Sequence, residues 1–556
     1  MKKVTFLFLL SVIFYSSRSQ TVGLFFHSAG TEDGYVLFAP TTYNKTYLMD
    51  KCGKQVHTWT SAYRPGQAVY LLTDGKLLRT GDVNSTIFTS GGKGGIIELL
   101  DTNSTVLWSY LLSDTMQCMH HDIFPLPSGN VLAIVWERKT PVEAIAAGRN
   151  PALLGASLWS EKVVEVQPTG ISTGNIVWQW HAWDHLIQDY DSTKLNYGIV
   201  SQHPELLNIN YVTGAPQQPD WIHMNAIDYN PALDQIIASS HNLSEFWIID
   251  HSTNSAEAAS HSGGQHNKGG DFLYRWGNPA SYNRGTAADQ KFFGQHNPHW
   301  ILPGLNDADN IMIFNNGLNR PAGNYSDVEI ISPPVDAQGN YSIVGSSPYQ
   351  PDSAYWKYTA PVLTDFYSSN ISGAQRLSNG NTIICEGAKG KFFEIDTNKI
   401  IVWKYVNPVN MTGPVTQNTV ITGNSVFRCT HIPFGYAGLN GYNLTAGNPI
   451  ELNPLPYTCS MTIGVEEIFS DENNISIYPN PFSDEAVLTI NPKCEMRNLK
   501  LIMYDVLGNI VLQSQISNLS RMSGTKISRG NLRNGIYFCR IVNDSKIISS
   551  GKIIIQ

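Results

Sequence analysis

Histidine stands at one recurring point of this chain. It occurs in Met119-His120-His121-Asp122, ahead of IFPL, and in Asp220-Trp221-Ile222-His223-Met224-Asn225, ahead of AIDY. It occurs again in Gly294-Gln295-His296-Asn297-Pro298-His299, ahead of WILPG. With 15 histidines in 556 residues, three successive blocks in register mark a site. Clustered imidazoles support two chemistries. Neutral rings ligate divalent metals. Alternatively they attack, donate and accept protons at a transferring group. If that group is anionic, a fixed positive charge is needed. Arg320, in Asn315-Asn316-Gly317-Leu318-Asn319-Arg320, follows the strand IMIF, and its planar guanidinium suits sulfate or phosphate oxygens. The candidate site is therefore His121, His223, His296 and Arg320. The matching point of a further block reads Ser372-Gly373-Ala374-Gln375-Arg376 and carries no histidine.

Residues so far apart meet only if a repeated unit brings them together. Tryptophan marks that unit: Trp59, Trp108, Trp178, Trp276, Trp356 and Trp403 each stand on similar strands. Upstream of most, an apolar strand closes on an acidic residue and a turn, as in TYLMD, IIELLD, FWIID and FFEID. Further upstream, LLTDGKLL, PLPSGNVL and RLSNGNTI place a glycine turn between apolar runs, which is a hairpin pattern. Four strands repeated six times predict an all-β, six-bladed β-propeller over residues 21–460. The tryptophan spacings are uneven, so the excess length falls in loops such as 140–156, 184–220 and 255–270. Loops of that length in a compact fold are usually functional. In a propeller, the inner strand of every blade starts at one end of a central channel. The histidine blocks fall at those starts.

Composition narrows the function. Charged residues make up 15% of the chain and the net charge is −8, which leaves no basic footprint for nucleic acid. Forty-six Gly and 29 Pro with 11% aromatics fit short strands and turns and exclude a helix bundle. The first 20 residues place two lysines before a short apolar run, the pattern of a secretory signal. No later segment has 18 consecutive apolar residues, so stable membrane insertion is not expected. The seven cysteines show no CxxC spacing, and one or two disulfides of unreadable connectivity fit an oxidising compartment. After a polar stretch at 461–473, read as a linker, residues 474–556 show short strands bounded by Pro, Asn and Gly, the pattern of a small β-sandwich.

Two resemblances add to this reading. Tyr478-Pro479-Asn480-Pro481-Phe482, Tyr504-Asp505-Val506-Leu507-Gly508, Asn534-Gly535-Ile536-Tyr537 and the strand around Gly551-Lys552 resemble the C-terminal sorting domain of the bacterial type IX secretion system. That implies the type IX machinery as partner and a secreted or cell-surface location. DWIHMNAIDYNPALDQIIASSH, FFGQHNPHWI, IMIFNNGLNR, SGAQRLSNGNTIICEGAKGKFFEID and SVFRCTHIPFGYAGLNG, within residues 34–446, resemble the bacterial arylsulfate sulfotransferase family. The resemblance implies transfer of a sulfuryl group from a phenolic sulfate ester to a phenol through a sulfohistidine, with no nucleotide donor, metal or other cofactor. By motif position His223 and His296 match two channel histidines of the family, and Arg320 its sulfate-clamping arginine. The chain departs from the pattern in two places. The family's nucleophilic histidine follows the arginine, yet no histidine lies between His299 and His431 here. Ser240-His241 stands where Ser-Arg is expected. Either His121, His223 or His296 attacks, or the chemistry differs. The other readings are an anion- or aromatic-binding propeller without turnover, and a metal-dependent hydrolase or lyase using the same histidines.

Overall fold

The computed structural model describes residues 20–461 except 213. Of the C-terminal part it describes 475–555 apart from 479, 481, 491–498, 506–508, 517–524 and 544–545. The expected signal and linker lie, but for residues 20 and 461, outside the described residues. The chain divides into two compact units, 1–461 and 462–556.

Six antiparallel sheets of four or five strands form the blades of the first unit, beside two small two-stranded pairings. Blade 2 runs Pro65–Leu71, Leu77–Asp82, Gly95–Leu100, Val106–Leu111, from inner to outer strand. Blade 3 is Gln117–Pro125, Val131–Lys139, Leu158–Pro168, Gly174–His181, and blade 4 is Met224–Asn230, Gln235–Ser240, Glu245–Asp250, Tyr274–Trp276. Blade 5 is His296–Trp300, Ile311–Asn315, Asp327–Ile331, Trp356–Tyr358. Blade 6 is Gly373–Arg376, Thr382–Glu386, Lys391–Ile395, Ile401–Val406, with Gly23–His27 added outside. Blade 1 takes its inner strand, Val426–Ile432, from the far end of the unit and continues through Tyr35–Pro40, Lys45–Asp50 and Gln55–Thr60. Inner strands of neighbouring blades touch all the way round, from blade 1 to blade 6 and back to blade 1. The result is a closed six-bladed propeller. A disulfide, Cys52–Cys459, joins the first blade to the end of the unit, 407 residues later. Cys118, Cys385 and Cys429 are buried thiols.

The repeated residues have repeated tasks. In the three glycine turns Gly75, Gly129 and Gly380 take φ of 84°, 86° and 87°, which an L side chain rarely adopts. The acidic residue closing the third strand caps the next turn. The Asp101 carboxylate accepts from the Asn103 and Thr105 amides, and Asp396 from those of Asn398 and Ile400. The marker tryptophan lies on the fourth strand of every blade and reaches the next one. The indole N–H of Trp108 donates to Thr173 O (2.9 Å), that of Trp178 to Thr253 Oγ1 (3.2 Å), that of Trp276 to Pro351 O (2.7 Å) and that of Trp403 to Lys51 O (2.7 Å). Accordingly the apolar core is not central. Six wedges fill the spaces between adjacent blades, for example Ile97 and Trp108 against Ile123 and Val135, or Met312 and Phe314 against Ile384 and Phe393. The centre is left for polar groups.

In the second unit, Ile475–Tyr478, Glu485–Ile490 and Thr525–Ser528 form one sheet. Ile510–Ile516, Leu499–Tyr504, Gly535–Asn543 and Lys546–Ile555 form another. Leu488, Leu501, Met503, Ile541 and Ile553 fill its core. Among the described residues no helix is long and apolar enough to cross a membrane.

Candidate functional site

Five of the six inner strands begin irregularly. Gln67, His121, His223, Asn297 and Ser372 take positive φ at this point, at 104°, 49°, 53°, 52° and 95°. Each such non-glycine residue costs on the order of 1 kcal/mol or more. In blades 2 to 5 the hydrogen-bond register slips at the same place, between Pro65 and Val69, across residues 120–122, at Asn225 and between His296 and His299. These bulges turn side chains that would alternate across the sheet toward the channel instead.

The imidazoles of His121, His223 and His296, joined by His241 at the end of the second strand of blade 4, form a row. Ring centroids of His121 and His223 are 4.7 Å apart, those of His223 and His241 5.3 Å, and those of His241 and His296 5.5 Å, each pair close to edge-on. His120 stands behind His121, stacked on Trp136 at 3.8 Å, with its Nδ1 2.8 Å from His121 Nδ1 and its Nε2 2.8 Å from Glu161. Glu161 also accepts the Met224 amide at 2.9 Å and so ties blade 3 to the head of blade 4. Gly92 closes over the row: a Cβ there would lie 2.0 Å from the His121 ring.

The four rings are not equivalent. His223 Nδ1 lies 2.5 Å from Asp220 Oδ2. Burial opposes charge on His223, but the Coulombic pull and hydrogen bond of Asp220 outweigh it and raise its pKa above 6.5. Burial likewise opposes charge on Asp220, and the same partner, with Ser90, brings its carboxyl down to about 2. His241 is the opposite case. Burial, then the neighbouring His223, lower it to about 4, so it is neutral at pH 7. Its Nδ1 donates to Asn242 Oδ1 (2.9 Å), an oxygen assigned by the Asn242 amide bond to Asp220 O. The lone pair of His241 therefore sits on Nε2. His296 is also held neutral, by burial and then His241, but both of its nitrogens are engaged. Nδ1 donates to Asn316 Oδ1 (2.8 Å), and Nε2 accepts the Ile371 amide (3.2 Å).

A cleft of about 310 Å³ opens on this row, lined by Asp220, His223, His241, Ser90, Trp221 and Arg149. Arg149 is buried, donates to the carbonyls of Ile209 and Leu153, and lies 5.4 Å over the Trp221 ring. Its Nε has no partner, and no carboxylate pairs with it among the described residues. Burial lowers its pKa to about 10, which leaves it charged at neutral pH.

Of the residues singled out in the sequence, the fold thus brings together His121, His223 and His296. Arg320 is placed elsewhere. Its Nη1 lies 2.9 Å from Asp327 on the neighbouring strand of blade 5, its guanidinium stacks on Tyr325, and it lines a separate pocket with Trp276 and Lys357. Ser372 and Gln375, at the matching point of blade 6, serve the backbone: Ser372 Oγ accepts the Gly387 amide and Gln375 binds the His431 peptide. His241 and Arg149 were not anticipated as site residues. The one pointer to His241 was Ser240-His241, the pair that departs from the expected Ser-Arg.

Farther along the same inner strands lies a second cavity of about 220 Å³, lined by Phe124, Ile227, Asp228, His299, Trp300 and Leu302 among others. Here the charge is neutralised: Arg428 pairs with buried Asp122, which also accepts from Tyr70 Oη at 3.0 Å.

Comparison with known proteins bears on both units. The family model described as Arylsulfotransferase (ASST) matches residues 30–422, and that described as Secretion system C-terminal sorting domain matches 476–556. No curated protein matches the chain. Among solved structures, a protein of unknown function from Bacteroides caccae has a TM-score of 0.39 and 11% identity, over 72% of this chain and 98% of that one. A catalytically inactive virginiamycin B lyase from Staphylococcus aureus gives 0.31 and 9%, over 70% and 89%. A putative 6-phosphogluconolactonase from Bacteroides fragilis gives 0.31 and 11%, over 73% and 99%.

Proposed function

The chain belongs to the arylsulfotransferase family, and from that premise we propose that it moves a sulfuryl group from a phenolic sulfate ester to a phenol, with His241 as nucleophile and His223 as the proton carrier. The carrying observation is the contrast between adjacent rings: a neutral imidazole with its lone pair on Nε2 beside one whose carboxylate partner favours the protonated form, both on one cleft. In the first step His241 Nε2 attacks sulfur, the S–O bond breaks, and the departing phenolate takes the proton from His223 Nε2. In the second, an acceptor phenol returns its proton to His223 while its oxygen displaces His241 from sulfur. Charge spreads over the sulfuryl oxygens in each transition state, so fixed positive groups lower the barrier. Arg149 and protonated His223 supply them. The sorting domain marks the chain for export to the cell surface or the medium, and we propose the type IX machinery as its export partner.

The test is a chromogenic aryl sulfate with and without a phenol acceptor, no nucleotide added, followed by peptide mapping of the acid-quenched enzyme. The expected result is acceptor-dependent turnover and a +80 Da adduct on the peptide containing His241, in line with a covalent intermediate. An adduct on another histidine moves the nucleophile. Ligand binding without turnover by any phenol overturns the transfer itself.

A further inference from the structure

A second histidine cluster lies away from the cleft, at the root of the long segment joining blades 3 and 4. His185 Nδ1 is 2.7 Å from Asp271 Oδ1, and His261 Nδ1 is 2.8 Å from the same oxygen. The three donor atoms lie within 4.8 Å of one another. The other nitrogen of His185, Nε2, is 2.8 Å from Ala258 O, a carbonyl that only accepts. Nε2–H is thereby committed to the carbonyl, which leaves Nδ1 to the Asp271 oxygen. A proton or a metal ion can hold these two atoms together, and His261 Nδ1 converges on the same oxygen as a third donor. The backbone carbonyl on the far nitrogen is the arrangement that orients metal-bound imidazoles.

The ring is also fixed in place. Trp180 stacks on His185 with 3° between the planes and donates its indole N–H to Gly270 O (2.7 Å). Gly270 leaves no slack, since a Cβ there would lie 2.1 Å from Ala258 O and 2.6 Å from His185 Nε2. His185 is buried, whereas His261 is 61% exposed on its side chain, so one side of the cluster is open to solvent.

We infer that His185, His261 and Asp271 form a binding site for a divalent transition-metal ion of the zinc type, with solvent in the fourth position. Two imidazole nitrogens and one carboxylate oxygen suit that ion class, and hard cations such as magnesium prefer an all-oxygen set. Zinc bonds of about 2.0–2.2 Å put tetrahedral donors about 3.3 Å apart, so on binding the Asp271 carboxylate draws back from the fixed His185 ring by about half an ångström, and the exposed His261 ring moves out with it. The ion staples two insertions that carry the wall of the cleft. His185 O accepts the Leu207 amide, Leu186–Ile187 pairs with Leu207–Asn208, and the next residue, Ile209, holds Arg149 through its carbonyl. The same segment then runs through Val212 and Gln217 to Asp220 along the cleft. The site stands whatever the cleft transfers.

The test uses the full chain, freed of metal by a chelator and titrated with Zn²⁺ alone, read by calorimetry and thermal melting. One equivalent is expected to bind at about micromolar strength or tighter and to raise Tm by several degrees. His261→Ala, a change on an exposed ring, and Asp271→Asn are each expected to weaken Zn²⁺ binding at least about tenfold. His223→Ala, in the histidine row, is expected to leave it unchanged. Absence of binding at millimolar Zn²⁺ overturns the site. So does unchanged binding in His261→Ala, or loss of binding in His223→Ala.

Discussion

The two ends of the propeller channel are made by the same six strands and differ in how they treat charge. At the strand heads a row of imidazoles, a buried arginine without a carboxylate and an Asp–His pair face a cleft. Farther along the same strands, the arginine is matched by Asp122 and the cavity wall is Phe124, Ile227, Trp300 and Leu302. Even the carboxylates differ: Asp220 is pulled down to about 2, while Asp228 at the far end is pushed up to about 7 by burial. The bulges and left-handed residues lie at the heads, so backbone strain and unbalanced charge coincide. Strain collected at one end marks the end that works; matched charge and apolar walls mark the end that holds the strands together.

That contrast has quantitative consequences. The largest is between two histidines: His223→Ala is expected to lower transfer by about 10³-fold or more, and His299→Asn, at the far end, to leave kcat within about threefold. Comparable losses in both variants would erase the distinction. Next, Arg428→Met strands the Asp122 charge and is expected to cost about 3 kcal/mol in denaturant unfolding, with little change in kcat; the reverse outcome would make the far cavity the reactive one. Asp220→Asn is expected to lower kcat by about 10- to 100-fold and to move its alkaline limb. In the native protein the limb lies above 6.5, because His223 must be protonated and Asp220 raises its pKa. In the variant, burial of His223 is opposed only by the Coulombic pull of Glu161, and the limb moves to lower pH. The linked stability has the same sign. The His223 contribution is complete below 6.5 and is lost as pH rises through its raised pKa, while that of Asp220 is present above 3.8 and is lost as pH falls toward 2. The smallest effect is Arg149→Lys, expected to raise KM about tenfold with a smaller change in kcat, because a point charge lacks the planar fork.

Much of this was legible beforehand because it is local. The glycine turn, the aspartate cap and the fourth-strand tryptophan each act within a few residues or through one side chain, so they recur in register. The strand that completes blade 1, Val426–Ile432, lies within SVFRCTHIPFGYAGLNG, one of the stretches that carry the family resemblance. What escaped is what depends on packing between distant segments. His241 lies at the end of a second strand rather than the head of an inner one, out of register with the other three. Arg149 reaches the cleft from an inter-blade loop. Arg320 follows its strand as expected, but Asp327, on the adjacent strand, captures it at short range. Cys52 finds Cys459 across most of the chain, a pairing no local pattern encodes.

Blade 1 draws its innermost strand from residues that follow all the other blades. That makes ring closure an event in time. As the chain emerges from its N-terminal end, blades 2 to 5 have every strand they need in consecutive order and can form as they appear. Blade 1 waits for Val426–Ile432. Until then its strand Tyr35–Pro40 has an unpaired edge where the inner strand belongs. Pairings of such long separation are slow to form and expose the chain to wrong partners meanwhile. A truncation before residue 426 would therefore leave an incomplete ring with an open edge, and would remove Phe427, whose ring stands 6.2 Å from that of His121.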